Sequence, residues 1–326
     1  MIGSGAISGR VLALHLVVIA VLFALQFVLP AYHHGIMARI LVLAVYAMGY
    51  NLLFGYTGLL SLGHAMFFSA GLYGAGMTVY HFDWSVPAAF AAGIASGLVL
   101  SAAVGFLALR TTGVAFLIVT MMFGQVVYLF TLYFGDWTRG EEGLTLSQAA
   151  RTLGPLDLTN PATRYFAALA LFTVVLFVTL ALVRAPFGRV LVAIRENEER
   201  TRMLGYDTFL NKLGAVVGSG VICAASGAAY VLLFGYFGSS FAAVQYSILP
   251  LLWVLVGGAA TTLGPLLGTV LMFYLIDLSN DVLNSRFPEW DLSYLGIVGV
   301  ALVLLILFFP KGLLGSVRDR WVRWLP

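Results

Sequence analysis

The sequence predicts an all-α, polytopic membrane helix bundle of about ten transmembrane helices, folded as a single domain over residues 1–326. Three observations predict it. The 326 residues are 61% hydrophobic and only 10% charged, whereas soluble domains carry roughly 25% charged residues, and the mean hydropathy is +0.99. The apolar residues come in runs that can cross a bilayer, which takes about 20 residues of helix. The basic residues then gather on one set of connections, as the bias of Lys and Arg toward cytoplasmic loops requires.

The first apolar run, Val11 to Leu29, follows Arg10 in the manner of a secretion leader, yet it is long enough to span and lacks a clear small-x-small cleavage pattern after it. It is read as the first span, 11–30. Further spans are expected over 38–54, 58–80, 86–109, 113–135, 164–183 and 213–236, with the last over 292–309. From Ser247 to Ile276 the chain is apolar for 30 residues, about 45 Å as one helix and too long for one crossing. GGAATTLGP, Gly257 to Pro265, interrupts that run and breaks a helix. The interval 244–279 is therefore expected to form two limbs that reverse direction, which brings the count to ten with both termini in the cytoplasm. Under that topology Arg10, Arg110, Arg184, Arg189, Arg195, Arg200, Arg202, Lys212, Lys311, Arg318, Arg320 and Arg323 lie inside, 12 of the 17 basic residues, with five acids. The outside receives Arg39, Arg139, Arg151, Arg164 and Arg286 with nine acids.

One interval breaks the apolar texture. Phe187 to Lys212 reads FGRVLVAIRENEERTRMLGYDTFLNK. At 3.6 residues per turn Val190, Ile194, Asn197, Thr201 and Leu204 share a narrow stripe, and the charged residues cover the rest. The spacing predicts one short polar helix over 188–204, supported by Glu196–Arg200 and Glu198–Arg202 pairs at i,i+4 and stopped at Gly205. A solvated face with no role is the plain alternative. Set between two membrane helices, such a helix is instead where a second protein grips the bundle. The outer segment 136–163 is too polar to span and is expected to fold partly over the bundle mouth. Its Asp136, Glu141, Glu142 and Asp157, with Asp281, Glu289 and Asp291, would suit a basic extracytoplasmic partner.

Tyr50 to Gly76, YNLLFGYTGLLSLGHAMFFSAGLYGAG, is rich in glycine, and Gly71 with Ala75 forms a small-xxx-small pair for close helix approach. Gly55 to Gly58 is also expected to interrupt the helix, which a bilayer tolerates where backbone is buried in protein or lines a cavity. His64, in this stretch, reads either as a hydrogen-bonded structural residue or as a proton carrier without a carboxylate partner.

The composition excludes several classes. The spans hold almost no ionisable groups beyond Arg39, His64 and Asp277, so the residues that ion-coupled carriers keep at midplane are missing. The two lysines, Lys212 and Lys311, leave no Gly-Lys-Ser/Thr phosphate loop. The single cysteine, Cys223, allows no disulfide and lies in an apolar run. His33 and His34 lack nearby acids for a metal site, the basic residues do not cluster as nucleic-acid contacts would, and no cofactor is expected. Any uphill transport must draw its energy from another subunit.

Four stretches carry a resemblance. GYTGLLSLGHAMFFSAGLYGAG (Gly55 to Gly76), APFGRVLVAIRENEERTRMLGYDTFLNKL (Ala185 to Leu213), GGAATTLGPLLG (Gly257 to Gly268) and FPKGLLG (Phe309 to Gly315) together resemble the membrane permease subunit of branched-chain amino-acid ABC importers, the LivM-type half of the pair. Around Thr138 to Gly143 the chain departs from the family pattern Thr-Gly-Gly-x-x-Gly, reading TRGEEG. The resemblance implies a non-catalytic, type II ABC-importer-like permease in a bacterial inner membrane. It further implies a sister permease, two ATP-binding cassette ATPases and a periplasmic substrate-binding protein. By position, Ile194, Arg195, Glu196, Asn197, Glu198, Arg200, Leu204 and Gly205 within the cytoplasmic segment 185–212 match the ATPase-coupling motif. Tyr56, Ser61, His64, Phe67 and Gln125 are candidates for the translocation pathway. Urea, a short amide or another small amino or organic acid remain alternative cargoes, and an ion-coupled secondary carrier the rival class. With no cation in the spans placed to follow a carboxylate, the permease is expected to select little and leave discrimination to its delivery partner.

Overall fold

A computed structural model describes residues 9–28, 30–154, 156–286, 296, 299–300, 303–304, 307–309 and 311–320. The chain is an α-helical bundle. Six of its described helices are long and apolar enough to cross a membrane: Gly9–Val28, His33–Tyr56, Val86–Ala108, Val114–Tyr133, Pro161–Arg184 and Thr208–Phe234. The expected last span, 292–309, falls mostly outside the described residues.

Helix α1 (Gly9–Val28) packs on the later helix Pro161–Arg184, and α2 (Ala31–Asn51) runs through the middle of the bundle. From Ala38 to Tyr50 almost every α2 side chain is buried. It then widens into a π turn, Leu52–Tyr56, and stops, with the Thr57 hydroxyl donating to the Leu52 carbonyl at 3.0 Å. The expected span 58–80 is thus corrected. Its first residues are non-helical, and α3 begins only at Ala65 and runs to Phe82 (18 residues). Helices α4 (Val86–Ala108), α5 (Val114–Tyr133) and the single turn α6 (Gly135–Thr138) follow.

The segment 136–163, expected outside, is built rather than loose. Strand β1 (Leu144–Thr145) pairs antiparallel with β4 (Tyr236–Phe237), and β2 (Thr152–Leu153) forms a small hairpin with β3 (Leu156–Asp157). Arg151, 7% exposed, donates to the Leu233 carbonyl and pins this cap to the end of α10. Helix α7 (Pro161–Arg184) opens with Asn160 accepting from the Ala162 N–H at 3.0 Å. Two short helices, α8 (Pro186–Glu196) and α9 (Glu198–Met203), lead into α10 (Thr208–Phe234).

Helix α10 packs against α2, α3 and α4, and small residues permit the approach. A methyl at Gly71 would run into the Ala224 carbonyl, and one at Gly227 into that of Phe68. In lipid, association rests on packing of this kind, because hydrocarbon tails remove the hydrophobic drive between helices. Beyond α10 the chain continues through β4 and one 3-10 turn, Ser239–Ala242. The aromatic rings of Tyr46, Phe68, Tyr230, Phe241 and Tyr246 bury that irregular backbone, with centroids 4.9–5.9 Å apart between neighbours. The expected pair of limbs is present as α11 (Val244–Gly257) and α12 (Gly264–Arg286). Gly257 lies against Gly264 and Gly268 against Trp253, an antiparallel register that any side chain at Gly257 or Gly268 would block. With 14 residues α11 is about 21 Å long, short of a full crossing.

Candidate functional site

The charged segment is two helices, not the one predicted. Asn197 adopts an extended conformation (φ −161°, ψ 103°) and its side chain accepts from the Arg200 N–H at 2.8 Å, so it ends α8 and caps α9. The break separates Glu196 from Arg200, and no ion pair joins them among the described residues. Glu198 and Arg202, both within α9, do pair at 3.4 Å. Glu198 also holds Lys212 of α10 at 2.6 Å. Partial burial works to raise the Glu198 carboxyl, but the Lys212 ammonium and the Thr208 hydroxyl outweigh it and hold the group below its ordinary value. Gly205 has φ 91°, the left-handed geometry expected of a helix stop.

The two faces of this segment differ. Ile194 is buried against the bundle. Arg195 donates to the Gly55 carbonyl in the π turn of α2, and its stem crosses Gly58, whose φ of 77° and missing side chain leave that path open. Facing away from the bundle are Met203, Leu204, Tyr206 and Leu210, 85%, 71%, 50% and 60% exposed. Of these the sequence reading singled out Leu204 alone, because an apolar residue beside charges reads as the buried stripe of a helix.

Arg195 is the first link of a connected set. One turn before Gly55, the buried Asn51 donates from Nδ2 to the Thr261 carbonyl (2.9 Å) and accepts at Oδ1 from the Ala260 N–H (3.0 Å). Both partners sit in the turn between α11 and α12. The same turn receives Arg318 of the C-terminal helix Gly312–Arg320, which donates to the Ala260 carbonyl at 3.1 Å. It also receives His15 of α1, whose Nδ1 donates to Val11 (2.7 Å) and whose Nε2 lies 2.8 Å from the Thr262 hydroxyl. His15 of the first span joins Arg39, His64 and Asp277 among the few ionisable groups of the spans. Its role, like that of Asn51, depends on a partner more than 200 residues away.

The pathway candidates lie around the break in α2. Tyr56, the last residue of the π turn, is buried. Ser61 accepts from the Gly63 N–H at 3.3 Å, and its carbonyl accepts from the Tyr50 hydroxyl at 3.0 Å. Ser219 donates its one proton to the Gly49 carbonyl (2.6 Å), so His64 Nε2, 2.9 Å away, is the donor to Ser219. The His64 ring is held between Tyr50 and Phe67, with centroids 4.6 and 5.4 Å away. Gln125 stands apart on α5, half-buried.

This arrangement is a polar segment wired through one broken helix into a helical hairpin, with no metal-binding cluster among the described residues. Residues 32–307 match the family described as the branched-chain amino acid transport system permease component. The chain belongs to that family. The permease is 27% identical to the high-affinity branched-chain amino acid transport system permease protein LivM of Salmonella typhimurium, over 98% of this chain and 78% of that protein. It is 28% identical to LivM of Escherichia coli over 86% and 69% of the two chains. A probable branched-chain amino acid transport permease protein LivM of Methanocaldococcus jannaschii is 32% identical over 41% of each. No solved structure matches the chain.

At the opposite end of the permease, TRGEEG forms a tight loop. Arg139 (φ 55°), Gly140 (φ 54°) and Gly143 (φ 70°) are all left-handed, and the Thr138 hydroxyl accepts from the Gly140 N–H at 3.1 Å. Of the acids expected outside, Asp136, Glu141, Glu142 and Asp157 lie on this cap. Thr159 donates from its N–H and hydroxyl to Asp157 and lowers that carboxyl from its ordinary value. Glu289, Asp291 and the Asp281 side chain lie outside the described residues.

Proposed function

We propose that this chain is one half of the membrane pathway of an ABC importer for branched-chain amino acids. It crosses the cell membrane about ten times with both termini in the cytoplasm, and the segment 185–212 couples it to a partner ATPase. A sister permease, two ATPases and a periplasmic binding protein complete the assembly. One observation carries this reading. The segment turns an apolar and charged face away from the bundle while its inner side holds Arg195 on Gly55 and Glu198 on Lys212. A push on that face reaches the π turn directly, and through Asn51 reaches the hairpin turn at Ala260 and Thr261. Backbone that is broken inside a membrane has unfixed hydrogen-bonding groups, and movable backbone is what a gate requires. Orientation follows from charge: Arg110, Arg184, Arg189, Arg195, Arg200, Arg202, Lys212 and Arg318 all gather at the segment's end.

In this mechanism the permease breaks no bond. ATP binding and hydrolysis in the partner displace α8 and α9, and the displacement opens or closes the hairpin turn against α2. The test is the whole importer in proteoliposomes. Replacing Glu196 and Arg200 together with alanine is expected to leave insertion intact while ATP hydrolysis no longer drives leucine uptake. Substrate-stimulated hydrolysis with normal uptake in that variant would overturn the coupling assignment. Absence of ATP-dependent uptake by the unaltered complex would overturn the function.

A further inference from the structure

Resting on the reading of this chain as an amino-acid permease, we infer that the cavity between α2, α7, α10 and α12 is a binding site for the zwitterionic head of the cargo. The cavity holds about 370 Å³, within the range of small-molecule sites. It lies at the end of the bundle opposite the charged segment. Arg39 of α2 and Arg164 of α7 both stand over the Phe234 ring, with guanidinium carbons 5.3 and 5.4 Å from its centre. Asp277 of α12 lines the same space, and Ile36 and Phe273 give it an apolar wall. In the sequence these charges are scattered over more than 230 positions, and no spacing ties them together.

The set is uncommitted. Arg164 is anchored by one donation to the Thr159 carbonyl at 3.1 Å, while its buried Nε has no partner. Among the described residues neither arginine nor Asp277 forms an ion pair within 4 Å. Two guanidinium groups and one carboxylate lining a small cavity fit a molecule that is negative at one end and positive at the other. A carboxylate takes a guanidinium through paired N–H donors, an ammonium is left for Asp277, and a branched aliphatic side chain meets Ile36 and Phe273. Simple anions would confront Asp277, and simple amines would confront both arginines. This site would receive the carboxylate at one mouth only, and the expectation that no cation follows it along the path stands beside it. Helices α2 and α12 wall the cavity, and at the opposite end Asn51 ties α2 to the turn that leads into α12, so an occupant contacts the helices on both sides of the proposed gate.

The complete importer in proteoliposomes tests this, at saturating leucine-loaded binding protein. Arg39→Gln and Asp277→Asn are each expected to slow leucine uptake about ten- to hundredfold, the worth of one charged hydrogen bond. Binding-protein docking and the ATP hydrolysis it stimulates should persist. Unchanged uptake overturns the site. A loss of uptake matched by an equal loss of docking also overturns it, because the arginines would then hold the delivery protein. A second measurement does not depend on those variants folding. The one cysteine of this chain is buried, so with the partner subunits made cysteine-free Ile36→Cys offers one thiol to a cationic methanethiosulfonate added outside. Millimolar leucine should slow its labelling several-fold, and neither 4-methylpentanoate nor 3-methylbutylamine should. Equal labelling with and without leucine overturns the inference even where uptake of leucine by the unaltered complex is intact. Loss of that uptake itself counts against the proposed function.

Discussion

Arg139 sits at φ 55° without a glycine's freedom, and the left-handed region costs an ordinary residue about 1–2 kcal/mol. Arg139→Gly is therefore expected to stabilise the detergent-solubilised chain by about 1 kcal/mol and to leave uptake unchanged. A lowered unfolding temperature would mean that the guanidinium makes a contact worth more than the strain. Asn51 is the opposite case, with both ends of its amide used and the residue 1% exposed. Asn51→Ala strands the half-buried Ala260 N–H and the buried Thr261 carbonyl, and an unmet buried group costs about 1–3 kcal/mol. Asn51→Asp keeps the acceptor and should fall between. Hydrogen exchange at Ala260 reads the outcome directly, and equal protection in all three proteins would sink the proposed link.

Asn197 was open to a correct reading, since an Asn followed by two acids is an N-cap signature. The apolar stripe outvoted it because Val190 to Leu204 keeps a helical period across the break. Asn197→Ala is expected to cost about 1 kcal/mol of α9 stability, visible as faster exchange of the Arg200 amide. Glu198 adds a dependence on pH. Its carboxyl titrates below its ordinary 4.5 in the folded chain, so the stability it contributes is complete above that value and is lost as pH falls through the lower, folded one. Protection of α9 should hold from pH 7 to about 5 and fall only in more acid solution, with Glu198→Gln removing the step. A drop already between pH 7 and 6 would rule out this carboxylate as the cause. The hairpin of α11 and α12 was legible because its turn is written in glycine, threonine and proline. The cap at the other end was not, since β1 finds β4 about 90 residues later and strands of two residues leave no periodic trace.

Across the whole molecule, membrane residence and helical class were plain from composition, while the meeting of distant side chains was not. Arg39, Arg164 and Asp277, or His15 and Thr262, become neighbours only when the helices pack, and packing is decided by glycines that carry no directional signal. Gly227→Val tests that packing, since the added carbons meet the Phe68 carbonyl and the start of Leu72. Overpacking costs about 1–3 kcal/mol, so this variant should unfold at a lower temperature, whereas the same change at Gly9, which faces open space, should not. The turn around Ala260 is gripped by residue 15 on one side and by residue 318, more than 300 positions later, on the other. A ribosome must therefore have made the chain as far as Arg318 before that junction can close. Chains released early, or trimmed ahead of Arg318, are expected to enter the bilayer normally yet be cleared by membrane proteases as unlocked intermediates.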